Sequence, residues 1–468
     1  MKHKGIGADT FEQEDAMRIR KLTFSILVFG LLPGTIWAQS YSGDARKIAM
    51  GATGYSQNIA AEMIEEERQS RSFVIPLGLI QLLQNTNRFD PGDDSFNPVV
   101  VMEYAANPLH FIFNRDSGDI GGRFVKDIVN GKPSRDLNAY RGFVPAGELL
   151  AEGLANPNWG KTFKLRRRAN GSYQGFYIGV GPYISARTKF TVDQDLIEIF
   201  SSSTDIYKPN ENILIEDQTI GQLALAITGG YRARFSLPGS YRNKPASRNG
   251  IYVGVNYHYL HGFRYEQGDL ALQFDTDAQG LVTLNPATTP VALNYKSARS
   301  GKGFAMDVGI GAVIDNWEFG FGANGIANRI NWEDFTFKQF RLDSWSINGA
   351  EFTEHRMPAE ISKLKVELPV EYAANAGYHL RNCSVAVEIS RGFQGTGFHG
   401  GVEYRLGAFE LRGGARYGLD RWHPSGGVGL NLGKRFSIDV AGFGTTTNVE
   451  RRLKPGIALS LRFNRVEN

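Results

Sequence analysis

One cysteine, no hydrophobic run long enough to cross a bilayer as a helix, and no surplus of either charge sign set the limits for this chain of 468 residues. Cys383 has no second cysteine to pair with, so an intramolecular disulfide is excluded and it reads as a small apolar residue on a strand face. The most apolar stretch, Leu22 to Leu32, is too short for a helical span. Lys and Arg number 52 against 48 Asp and Glu, so nothing favours a nucleic-acid partner. No metal-spaced His, Cys, Asp and Glu set, nucleophile elbow or phosphate loop occurs, so neither a cofactor nor an enzyme is expected. Gly320 to Gly325 spells G-x-G-x-x-G, but it sits inside an alternating segment rather than at a strand-to-helix turn, which removes the dinucleotide reading.

What is plentiful points elsewhere. Glycine reaches 55 residues and aromatics 12%, while the mean hydropathy is only -0.28. A membrane barrel has this profile, because half of each strand is polar and faces a wet interior.

The first residues have the layout of an export signal. Arg18, Arg20 and Lys21 precede the apolar stretch, Pro33-Gly34 ends it, and Ile36-Trp37-Ala38 offers a peptidase site between Ala38 and Gln39. Residues 1–38 are therefore expected to be a signal peptide, with Met17 standing where the true start would fit.

From Val366 to Phe463 seven segments alternate with period 2, the spacing that sends successive side chains to opposite faces of a strand. Val385, Val387 and Ile389 fall on one face and Ser384, Ala386 and Glu388 on the other. In the next two segments the polar face carries Glu403, Arg405, Glu410, Arg412 and Arg416, charges that cannot meet lipid cheaply and so belong to a lumen. Short connections such as Arg381-Asn382, Gly407-Ala408 and Gly433-Lys434 alternate with longer ones at Gly392 to Gly397, Leu419 to Ser425 and Thr445 to Pro455. Short turns on one side and long loops on the other are the outer-membrane pattern.

Upstream, Asp315-Asn316 and Asn170-Gly171 read as tight hairpin turns on the same, periplasmic, side. Ile251 to Tyr259 and Phe304 to Ile314 alternate as well, turning Asn256, His258 and Asp307 inward. Asn114 to Trp159 lacks alternation and is expected to be loop with short helices at Phe124 to Val129 and Ala146 to Leu154. Long outer loops are expected at Asp193 to Gln218, Glu266 to Ser300 and Asn331 to Lys365. The fold class is all-β, an antiparallel transmembrane barrel of about 14 strands, or 16 if Asn97 to Glu103 and Leu109 to Phe113 are two spans.

The segment Ser42-Gly43-Asp44-Ala45-Arg46-Lys47-Ile48-Ala49-Met50-Gly51-Ala52-Thr53-Gly54 resembles the small-residue opening of the FadL-like outer-membrane proteins. That superfamily includes long-chain fatty-acid transporters, hydrocarbon channels and relatives attached to secretion or conjugation systems. The resemblance implies that residues 39–71 fold into the barrel as a hatch and residues 72–468 form the wall. It also implies that ligands enter from the outer loops and leave sideways through a strand kink. Read from its own residues, Ile59 to Glu67 is a short helix with an apolar side and three consecutive glutamates, suited to a hatch or to a solvated leader.

The expected function is a channel for hydrophobic or amphipathic small molecules in the bacterial outer membrane, lined by Asn256, His258, Asp307, Glu388, Arg405, Arg412 and Arg416. The alternative is a barrel that anchors surface proteins or supports an envelope complex. Expected partners are outer-membrane lipid, a hydrophobic small molecule and, in the second case, an envelope protein.

Overall fold

The computed structural model describes residues 44–52, 58–68, 72–75, 77–84, 111–113, 148–155, 159–168, 170–201, 209–237, 248–283, 292–346, 349–357, 363–392, 395–418, 421–433, 436–445 and 453–463. The signal-peptide reading with Ala38 and Gln39, the strand at Asn97 to Glu103 and the helix at Phe124 to Val129 lie outside these residues.

Four helices are present among them: α1 (Ala45–Ala49), α2 (Ile59–Arg68), α3 (Leu77–Gln84) and α4 (Gln194–Ser201). The strands are β1 (Ser72–Val74), β2 (Phe111–Ile112), β3 (Glu148–Ala155), β4 (Trp159–Arg167), β5 (Tyr173–Val192), β6 (Asn212–Ser236) and β7 (Gly250–Thr276). Then follow β8 (Val282–Thr283), β9 (Ala292–Ala298), β10 (Ser300–Ile314), β11 (Trp317–Glu333), β12 (Thr336–Ser346), β13 (Gly349–Met357) and β14 (Lys363–Glu367). The last seven are β15 (Glu371–His379), β16 (Cys383–Gly392), β17 (Gly395–Leu406), β18 (Phe409–Gly418), β19 (Arg421–Leu432), β20 (Phe436–Thr445) and β21 (Lys454–Phe463).

All pairings are antiparallel. The wall runs β4, β5, β6, β7, β10, β11, β15 and then in chain order to β21. β14 continues β15 along β11, while β1 and β2 share the far edge of β21, where they occupy the fourteenth position of the expected barrel. Period-2 patterning explains why this sheet curls with a lipid side and an inner side. Ile178, Ile227, Tyr257, Phe321, Val387, Leu411 and Val428 are exposed on the outer face, and their chain neighbours turn the other way. An apolar belt of this extent left open to water would aggregate, so it needs lipid against it. No helix among the described residues is long and apolar enough to cross a membrane.

The hairpins at Asp315-Asn316 and Gly407-Ala408 form as expected. Asp315 takes the left-handed backbone at φ 53 that a two-residue turn requires, and Gly407 does the same at φ 62. Three expectations are corrected. Ala146 to Leu154 is not a helix, because Glu148–Ala155 forms β3 and pairs with the outer part of β5 from Glu148 opposite Thr191 to Ala155 opposite Ile184. An open strand edge there offered hydrogen bonds that outweigh local helical tendency.

The expected long outer loops are largely sheet. β6 has 25 residues and β7 has 27, where a membrane strand needs about 9–11. Their outer halves continue past the lipid belt, and β9, β12 and β13 extend that outer sheet from β7. The loops expected at Gly392 to Gly397 and Leu419 to Ser425 are also shorter, since β17 starts at Gly395 and β19 at Arg421.

The candidate lumen site

The inward positions of β7, β10 and β11 stack in tiers along the lumen. Outermost is an apolar tier of Tyr183, Leu260, Tyr265, Ile330 and Trp332, all buried, with Leu364 and Val366 packed against it. Trp332 lies opposite Leu364 and Ile330 opposite Val366, so these side chains share the inner face. The Trp332 indole Nε1 donates to Gln222 Oε1 at 2.9 Å, which fixes the ring in this tier.

Two residues further down each strand the surface becomes polar. His258 Nε2 meets Asp307 Oδ2 at 2.6 Å, the His258 Nδ1 side meets the Thr228 hydroxyl at 2.7 Å, and Asp307 Oδ1 accepts the Gly325 amide at 2.8 Å. Asn256 lies opposite Asp307 on the neighbouring strand. Asn324 and Asn328 flank Gly325 and are both buried, with the Asn328 amide donating to the Tyr183 hydroxyl.

The same level carries an irregularity in the wall. β10 and β11 slip register twice between Phe304 and Val308, with Gly325 at φ 70 and Ala327 at φ 51. On its other edge β11 pairs with β15 up to Asn324 opposite Glu371, then resumes with β14 only at Arg329 opposite Glu367. On that edge the backbone from Gly325 to Asn328 is unpaired, and β10 holds it only through Met306 opposite Ile326, so the wall is loosely held beside the His258–Asp307 pair.

Below this tier lies α2. The Asn58 side chain caps it, accepting from the Ala60 amide at 3.0 Å and the Ala61 amide at 3.4 Å, and Asn58 Nδ2 donates to Asn375 Oδ1 on β15. Ile59, Ala60, Met63 and Ile64 are buried against Tyr252 and Val313, so this apolar side faces the wall. The wall receives the helix through glycine: a methyl group on Gly309 would meet Ala60 N at 2.9 Å, and one on Gly311 would meet Ile64 Cδ1 at 2.9 Å. At its far end Glu67 accepts from Arg234 at 2.9 Å and from the Tyr252 hydroxyl at 2.8 Å.

α1 occupies the inner face of β17 to β21. Asp44 caps it, Ala45 N donates to Ser460 Oγ at 3.1 Å, and His399 Nδ1 sits 3.0 Å from Gly51 O. Arg46 donates through Nε to Glu403 Oε2 at 2.6 Å and through Nη2 to Glu403 Oε1 at 3.1 Å. Glu403 also accepts from Arg412 at 2.8 Å, and Arg412 reaches Glu410 and Asp439, the latter at 2.6 Å. Arg462 closes the set on Glu410 at 2.7 Å. Three guanidinium groups thus face three carboxylates, a balance that buried charge requires. A salt bridge of 2.7 Å from Lys47 to Glu65 ties the two helices together.

All seven residues expected to line the lumen face inward, but they fall into three separate groups. Asn256, His258 and Asp307 meet in the polar tier. Arg412 and Arg405 belong to the charge network under α1, where Arg405 reaches Glu403 at 3.3 Å and remains half exposed. Glu388 and Arg416 sit in one cross-strand row with His399 and His423. The alternation missed Trp332, Ile330, Asn328 and Asn324. The signal was available as the 328, 330, 332 spacing, but the register slips on β11 interrupt it.

The fold and site together define an antiparallel transmembrane β-barrel whose lumen contains two packed helices and an apolar tier above a polar one. No family model matches the chain, and no curated protein matches it. Among solved structures it is similar to the TodX deltaS2S3 mutant monoaromatic hydrocarbon channel, at 13% identity and TM-score 0.32 over 69% of this chain and 91% of that one. It is also similar to the CymD monoaromatic hydrocarbon channel, at 13% identity and TM-score 0.32 over 77% and 96%. A Rhodopseudomonas blastica porin triple mutant matches at 9% identity and TM-score 0.22 over 68% and 100%.

Proposed function

We propose that this protein is an outer-membrane channel for hydrophobic or amphipathic small molecules, exported by the signal in residues 1–38 and closed in its resting state by a hatch formed from residues 39–71. The observation that carries this reading is the buried apolar tier of Tyr183, Leu260, Tyr265, Ile330 and Trp332 on the inner face. A water-filled diffusion pore has a polar lumen, so a dry aromatic tier within one favours a cargo that leaves water. The stretch Gly325 to Asn328, whose edge toward β14 and β15 is unpaired beside that tier, supports sideways release into lipid.

Flux of monoaromatic hydrocarbons and of medium-chain amphiphiles into proteoliposomes tests this. The expected result is uptake above that of empty liposomes for these solutes and little uptake of sugars of similar size. Uptake of sugars alone would make the protein a general porin.

The outer sheet of β6, β7, β9, β12 and β13 supports a second reading, in which the barrel carries a surface or envelope protein on this platform. A stoichiometric partner lost on removal of the β12–β13 hairpin would favour it over the channel.

A further inference from the structure

We infer that the outside of the wall binds the phosphate groups of an outer-leaflet glycolipid, at a cation cluster formed by Lys302 on β10, Arg329 on β11 and Lys365 on β14. This goes beyond the channel reading and holds whether the barrel conducts a solute or carries a protein. It takes from that reading only the orientation, with the short turns periplasmic.

Period 2 fixes the face these residues take. Ile330 and Trp332 are buried on the inner face with Leu364 and Val366 packed beside them, so Arg329, Asn331 and Lys365 stand on the outer face, where all three are exposed. On β7, Leu260 turns inward, and Tyr259 and His261 on either side of it turn outward. Lys302 is exposed and lies opposite His261 on one side and Asn331 on the other, and Asn331 lies opposite Lys365. Lys302, Asn331 and Lys365 thus form one row over three adjacent strands, with the two lysines about 10 Å apart at the backbone, two strand spacings. One step closer to the lipid belt, Arg329 lies opposite Phe304 and its guanidinium covers that ring at 4.5 Å.

The carboxylates at this level do not cancel the cluster. Glu367 pairs with Lys365 and stands opposite Arg329, and Glu333 holds Lys363 at 3.1 Å, with Asp334 following in the turn. Lys302 makes no ion pair and the Asn331 side chain no hydrogen bond among the described residues. Three cations facing one carboxylate in the row and the step below it leave positive charge in excess.

The occupant follows from what borders the row. Directly below it Tyr257 and Tyr259 are exposed on the same outward surface, and Phe304 stacks on Tyr257 at 6.0 Å, an aromatic girdle of the kind that marks a membrane boundary. The cluster therefore sits at head-group depth, at the end of β10 and β11 remote from the Asp315-Asn316 turn, which is the outer leaflet. Cations at that depth attract anionic lipid head groups. A phosphate takes the guanidinium fork of Arg329 in two-point contact, the lysines act on it as point charges, and the Asn331 amide adds a donor. The Phe304 ring keeps the Arg329 guanidinium at the boundary before any lipid arrives.

The experiment titrates the full-length protein, in a neutral detergent, with lipid A carrying its phosphates and with the same lipid stripped of them, and counts bound lipid by native mass spectrometry. The phosphorylated lipid is expected to half-saturate at a concentration lower by about tenfold or more. In K302Q/R329Q/K365Q the two lipids should come within about twofold of each other, with heat-modifiability kept because the three side chains are exposed. K302Q alone should lose about threefold or more of the preference, and decides the matter should the triple variant fail to fold. Absence of the preference in the native protein, or its persistence in these variants, would overturn the inference and leave the channel reading untouched. Displacement of the phosphorylated lipid by an equal concentration of inorganic phosphate would make the row a site for free anions and overturn the lipid assignment.

Discussion

Arg46 on α1 and Glu403 on β17, 357 positions apart in sequence, form a two-point ion pair inside the barrel, with Nε on Oε2 at 2.6 Å and Nη2 on Oε1 at 3.1 Å. Both side chains are buried, so neither charge has water to fall back on. Removing one partner of such a pair typically costs about 3–5 kcal/mol, whereas an exposed pair is worth about 1 kcal/mol at most. R46A should therefore release α1 from the wall while the barrel still assembles. The expected outcome is faster protease cleavage after Lys47 in folded, heat-modifiable protein. Unchanged cleavage would show that the pair does not hold the helix.

Steric displacement of α1 offers an independent route to the same state. A methyl group on Gly427 would meet Ala49 Cβ at 2.7 Å and Val440 backbone nearby, and one on Gly401 would run into the Met50 backbone. Backbone cannot yield as a side-chain end can, so G401V should expel the α1 turn from the wall. Channel conductance in planar bilayers is expected to rise in both G401V and R46A, and by a similar amount. A rise in only one of them would mean that the other acts through barrel damage rather than through the hatch.

The His258–Asp307 pair should hold the irregular part of the wall. Asp307 gives one oxygen to His258 and the other to the Gly325 amide, so H258A leaves a buried carboxylate with a single partner. Leaving such a group unsatisfied costs about 1–3 kcal/mol. Hydrogen exchange at Gly325 is expected to quicken by about one to two orders of magnitude in H258A, with β17 to β21 unaffected. Equal acceleration across the whole barrel would indicate global destabilisation instead.

The wall was legible in the sequence wherever one face meets lipid. From Glu371 to Phe463 the apolar–polar alternation has a physical cause on each side, and the seven strands expected there are the seven observed. Outside the belt that cause disappears. Lys338, Gln339, Phe340 and Arg341 belong to β12, yet with water or packed sheet on either side they alternate no more than a loop would. The division of the lumen residues into three groups was hidden for another reason. Period 2 tells which face a residue takes but not which strands stand across the barrel, and only the positions of α1 and α2 separate Arg412 from Asp307.

The outer sheet should weaken as pH rises. Asp217 stands on β6 six residues beyond Leu223, the last large apolar residue exposed to the lipid belt on that strand. Burial pushes its carboxyl up to about 7, with a hydrogen bond from Thr219 offsetting part of that and the Asp269 carboxylate adding to it. An unfolded aspartate titrates near about 3.9, so between that pH and about 7 the folded sheet holds a proton that the unfolded segment has released. The stabilising contribution is thus complete below about 4 and is lost as pH climbs through about 7. Amide exchange over residues 212–220, corrected for intrinsic rates, should show greater protection at pH 5 than at pH 8. D217N should remove that difference and hold protection at the acid-pH level throughout. A pH dependence that persists in D217N would assign the effect to another group of the outer sheet.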